Sequence, residues 1–133
     1  MERYDPNKPL DAKKWMALDE VERQLLVEQY HRRKRIKMPN ARVHAVIHVV
    51  VENQIALGSD IPVKKTLSRL MREGLSRHDA VHAIGSVLAG HIYDLLKHGS
   101  EEIDVNAGYY RQIEALTAEQ WLNSFNDESD STS

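Results

Sequence analysis

The stretch from Asn40 to Gly58, NARVHAVIHVVVENQIALG, decides how the rest of the chain is read. Val43, Ala45, Ile47, Val49 and Val51 alternate as a strand would, and β-branched residues favour strands. Against that, residues 41–57 run 17 positions without a breaker, which is long for a strand and ordinary for a helix. Asn40 is a good N-cap and Gly58 a good residue just past a helix end. Apolar side chains occur on nearly every side, so the spacing predicts a central, deeply buried helix in an all-α protein.

Outward from it, capping signals mark further helices. Asp11 caps a short one holding Trp15, Met16 and Leu18. Asp19 caps a longer one with Glu20 and Glu22 in its first turn, an apolar stripe of Val21, Leu25, Leu26 and Tyr30, and cations at its C-terminal end. Ser59 or Asp60 is expected to cap a helix with Pro62 at or near its first position, Leu67, Leu70 and Met71 on its buried face, and Gly74 beyond it. Ser76 caps the next, with Asp79 three residues on, and that helix runs to Gly99. Inside it Gly85 and Gly90 cost roughly 1 kcal/mol each against alanine, unless close packing needs them. Thr117 to Gln120 forms a capping box for a short helix with Trp121 and Leu122. The expectation is a compact bundle of five to seven helices over residues 1–126, with 41–57 and 77–98 packed at its centre. Residues 127–133, all Asp, Glu, Ser and Thr, are expected to be a disordered tail.

The 133 residues suffice for one domain with its own core. The absence of cysteine excludes disulfides, thiolate metal sites and cysteine nucleophiles. Residues 1–6 lack the apolar core of a secretory signal, so a cytoplasmic location without membrane association is the expectation. The net charge of −2 conceals an asymmetry: residues 1–100 hold 17 Lys/Arg against 12 Asp/Glu, residues 101–133 hold 1 against 8. Global charge gives no support to nucleic-acid binding. The one local patch for it is Arg32, Arg33, Lys34, Arg35 and Lys37, which also reads as a solvated helix end favouring cations. An unidentified protein partner could use that run or the acidic tail. No GxSxG and no glycine-rich phosphate loop is present.

The chemistry lies in the histidines. His44 and His48 are four residues apart on the central helix, and Glu52 extends their stripe by one turn. His78 and His82 repeat the spacing on the 77–98 helix. On a helix, residues i and i+4 share a face with Cβ atoms about 6 Å apart, so each pair of imidazoles can converge on one ion. A buried carboxylate without a partner costs several kcal/mol. A metal held by His44, His48, Glu52, His78 and His82, or a subset, offsets that cost. So does pairing Glu52 with a histidine, Asn53 or an arginine in a polar seam. The nitrogen and oxygen donors suit a transition metal, zinc or iron first. Four or five protein ligands nearly close a mononuclear site, which favours a structural ion over a reactive one. His31 is expected at the surface, joining only if its helix packs across the site. His91, half a turn away from His82, should face elsewhere, and His98 should meet the helix dipole.

His48-x3-Glu52 followed by His78-x3-His82 resembles the ligand order of hemerythrin-like oxygen-binding bundles. That resemblance implies non-haem iron, with further ligands drawn from His31, His91, His98, Asp94 or Asp104 at spacings that depart from the pattern. His44 or His48 with His78-Asp79 is similar to HD-type metal-dependent phosphohydrolases, with Asp94 as the late aspartate. A likeness over more of the chain runs from Tyr30-His31 through Pro39-Asn40, His44 to Gln54, and Gly74 to Gly85. It resembles a small bacterial family catalogued as a domain of unknown function, numbered 1841. That resemblance implies a bacterial cytoplasmic helical protein and supplies no reaction.

Overall fold

The computed structural model describes residues 3–34, 41–99 and 104–124, and within them every regular element is helical. In chain order these are α1 (Ala12–Ala17), α2 (Glu20–Arg33), α3 (Ala41–Ala56), a 3-10 turn (Gly58–Asp60), α4 (Val63–Arg72), α5 (Arg77–His98) and α6 (Ala107–Ala115). A further helical stretch covers 118–124. None of these helices is long and apolar enough to cross a membrane. The Val/Ile-rich segment is therefore a helix, as its length and C-terminal glycine predict. Asn40, Arg35, Lys37 and the tail 127–133 lie outside the described residues.

Local chemistry starts and stops the elements. Asp11 accepts from the backbone N–H groups of Lys13 and Lys14, Asp19 from Glu22, and Ser76 from Asp79. Each such cap stabilises its helix by about 1 kcal/mol. Thr117 and Gln120 bond reciprocally, side chain to backbone, as a capping box requires. Gly58, Gly74 and Gly99 follow helix ends with positive φ, where a Cβ would be strained. The start of α4 corrects one expectation: Pro62 itself is the N-cap, no side chain caps this helix, and Ser59 and Asp60 belong to the 3-10 turn.

α3 is the hub. It packs against α1 and α2 on one side and against α4 and α5 on the other, and α6 covers α5 and α4. Two apolar clusters result. Tyr4, Trp15, Leu26, Val27, Tyr30, Ala45 and Val49 form one between the N-terminal segment, α1, α2 and α3. Val51, Leu67, Leu70, Val81, Ile84, Leu88, Tyr109 and Ile113 are the main members of the other. Two expected stripes need adjustment: Val21, Leu25 and Met71 are exposed, and Val27 is buried instead. Gly85 faces α3 so closely that a Cβ there would meet Ile47 Cγ2 at 3.1 Å. That approach sets α3 and α5 tightly together where the histidines of both helices face each other.

Candidate metal centre

Three helices bring five histidines to one place. His31 closes the buried face of α2, one helical turn after Val27 and beside Tyr30. His44 and His48 come from α3, His78 and His82 from the first turns of α5. His31, His44, His48 and His82 each offer one nitrogen, and these four atoms all lie within 4.8 Å of one another. His44 Nε2 is 3.1 Å from His82 Nε2, and His78 Nε2 is also 3.1 Å from His82 Nε2. For comparison, nitrogens around a tetrahedral zinc with bonds of 2.0–2.1 Å stand roughly 3.3 Å apart. A neutral imidazole nitrogen carries either one proton or one lone pair in the ring plane. His82 Nε2 can therefore satisfy one of its two neighbours well, and the other contact is surplus to hydrogen bonding.

Electrostatics keep the group uncharged. Burial, and then repulsion from neighbouring histidines, pushes His44 down to about 4 and His82 down to about 3. The same causes hold His48 well below its ordinary value. Burial also lowers His31 and His78. At neutral pH all five are neutral, the form in which imidazole binds a metal. Two nitrogens in this nest, His31 Nε2 and His48 Nδ1, are buried without a hydrogen-bond partner among the described residues. Buried polar atoms are rarely left so, and each one costs on the order of 1–3 kcal/mol.

Glu52 occupies a different position from its histidine neighbours. It is fully buried, and Arg77 holds it with both prongs, Nη2 to Oε1 at 2.8 Å and Nη1 to Oε2 at 2.9 Å. The Tyr4 hydroxyl donates to Oε2 as well, and the same hydroxyl lies 2.9 Å from His48 Nε2. The carboxylate thus stands behind His48, paired with an arginine, and outside the four-histidine group. A cavity of about 270 Å³ is lined by Glu52 and Arg77 with Leu67, Lys64 and Ser68, but by none of the histidines.

The segment carrying Tyr4 is tied over this region. Arg33 donates to the Tyr4 carbonyl at 3.0 Å, Arg77 to the Pro6 carbonyl at 2.9 Å, and the His78 backbone N–H to Asn7 Oδ1 at 3.1 Å. Arg32, Arg33 and Lys34 are exposed, as a solvated helix end requires.

One histidine departs from its expected place at the surface. His31 is 5% exposed and belongs to the group, because α2 packs directly across α3. The signal was present in the spacing of Val27, Tyr30 and His31, which share one helical face. Tyr4 and Arg77 carried no such signal. His91 does face elsewhere, its Nε2 2.7 Å from the Val105 carbonyl and its ring against Tyr109. Asp104 accepts from the Asn106 backbone, and Asp94 and His98 are exposed. None of these four joins the histidine group. No protein-family model matches the chain, and no curated protein or solved structure shows significant similarity to it.

Proposed function

We propose that this is a metal-binding protein holding one transition-metal ion, zinc first and iron second, among His31, His44, His48 and His82. His78 stands beside the ion as a fifth nitrogen. The observation that carries the reading is the pair of buried, unpartnered nitrogens, His31 Nε2 and His48 Nδ1, within a nest of neutral imidazoles. A cation would supply partners to both at once. The donor set is all imidazole, which suits zinc, copper, nickel or ferrous iron. Among the described residues the converging group of ligand atoms contains no carboxylate, and Glu52 is held by Arg77, which supports one ion rather than a di-iron pair.

The ion's role in this reading is structural. Four ligands from α2, α3 and α5 fill a tetrahedral shell and staple the two apolar clusters together. A bacterial cytoplasmic setting is part of this proposal and rests on the sequence resemblance alone, since no family model matches the chain.

Protein purified without a nickel column tests the reading by elemental analysis and melting. The expected result is about one metal ion per chain, with a melting temperature that falls on chelation and recovers with zinc. Less than about 0.1 ion per chain, with melting indifferent to zinc and ferrous iron, would replace the metal by a polar seam that only fixes helix register.

A further inference from the structure

Tyr4 has one proton and two neighbours that want it. Its hydroxyl oxygen touches Glu52 Oε2 and lies 2.9 Å from His48 Nε2. The Glu52 carboxylate, already paired with Arg77 through both oxygens, has no proton to give. The phenol proton therefore goes to Glu52, and the phenol oxygen faces His48 with a lone pair. Burial and the adjacent Glu52 charge hold Tyr4 well above its ordinary value, so it remains a neutral donor. The hydrogen in the Tyr4–His48 contact must then come from His48 Nε2. A neutral imidazole has one N–H, so Nδ1 is left as a bare lone pair.

We infer that Glu52, acting through the Tyr4 hydroxyl, locks His48 in its Nε2–H tautomer and so presents Nδ1 to the ion. The inference rests on the metal reading above and adds the positioning residues behind it. In metal sites a ligating histidine commonly gives its second N–H to a carboxylate, which fixes the ring and its tautomer. Here a phenol stands between the two. The opposite tautomer would set two lone pairs against each other at 2.9 Å and bury an Nδ1–H with no acceptor.

Two further contacts make the lock rigid before any ion arrives. Arg77 fixes the plane of Glu52 and also holds the Pro6 carbonyl, while Arg33 holds the carbonyl of Tyr4 itself. His31 offers a second nitrogen of this kind: its Nε2 is buried without a hydrogen-bond partner among the described residues.

The test is the imidazole nitrogen spectrum of the metal-free, full-length protein labelled with nitrogen-15. Long-range proton–nitrogen correlations should show His48 with Nε2 protonated and Nδ1 bare. After loading with cadmium-113, scalar coupling should run from the metal to His48 Nδ1. Tyr4→Phe removes the relay with little change in shape. It should mix the His48 tautomers and weaken zinc binding by about 10- to 100-fold.

A wild-type His48 protonated at Nδ1, or cadmium coupled to Nε2, overturns the inference even if Tyr4→Phe does not fold. So does a Tyr4→Phe protein with one tautomer and unchanged zinc affinity. If neither zinc nor cadmium binds the wild type, the metal reading falls and the Nδ1 ligation with it. The metal-free spectrum still judges the lock by itself.

Discussion

His31 on α2 and His44 on α3 meet edge to face, with ring centroids 4.8 Å apart and planes at 82°. This contact carries α2 into the histidine group, so the proposed metal site draws on three helices rather than two. His31→Ala should therefore weaken zinc binding by more than about 100-fold, since even the partners behind a ligand are worth 10- to 100-fold. His91→Ala, equally buried but bonded to the Val105 carbonyl, should leave zinc affinity unchanged. Competition against a chromophoric chelator measures both. Equal effects of the two substitutions would remove His31 from the ligand set.

What is legible in the sequence alone divides along physical lines. Helices were legible because caps and periodicity are local: Asp11, Asp19, Ser76 and the Thr117–Gln120 box all act within a few residues of themselves. The His44/His48 and His78/His82 pairs were legible for the same reason. Helix-to-helix contacts were not, and His31 depended on one. Tyr4 lies in a segment without periodicity, 44 residues from His48, and Arg77 is 25 residues from Glu52. The cost of burying Glu52 showed that it needed a partner, and left the choice among an arginine, a histidine and a metal open.

The Glu52–Arg77 pair is nearly inaccessible to water, at 0% and 5% exposure. Breaking such a pair leaves an uncompensated buried charge, a loss of about 3–5 kcal/mol. Arg77→Met should cost that much in urea unfolding of the metal-free protein. Glu52→Gln with Arg77→Met should recover a large part of the loss, because no buried charge is stranded. A double variant as unstable as the single one would show that Arg77 acts mainly through the Pro6 carbonyl.

Gly85 and Gly90 both sit inside α5, and their surroundings predict different outcomes for alanine. A Cβ at Gly90 meets nothing within 4 Å, so Gly90→Ala should stabilise the protein by roughly 0.5–1 kcal/mol through helix propensity. At Gly85 the new methyl would press on Ile47 Cγ2 at 3.1 Å, with Val51 Cγ2 behind it at 3.9 Å. Overpacking costs of about 1–3 kcal/mol exceed the propensity gain there, so Gly85→Ala should destabilise. Thermal melting of the two variants checks the opposite signs. The same displacement of α3 from α5 should weaken zinc binding in Gly85→Ala but not in Gly90→Ala.

Acid should loosen the fold even without metal. An unfolded chain protonates its histidines near pH 6.5, whereas burial holds His44 at about 4 and His82 at about 3 in the fold. Between those values the unfolded state binds more protons than the folded one, so protons favour unfolding. Stability is thus fully present above about pH 6.5. It is lost progressively as pH falls towards about 4 for His44 and about 3 for His82. His48, His31 and His78, all lowered, add in the same direction. In chelator, the urea midpoint should be flat above neutrality and decline through pH 6 and 5. His44→Gln with His82→Gln, which removes two of the titrating groups, should shallow that decline. A midpoint unchanged between pH 7 and 5 would mean that the histidines admit protons, and water with them, in the folded protein.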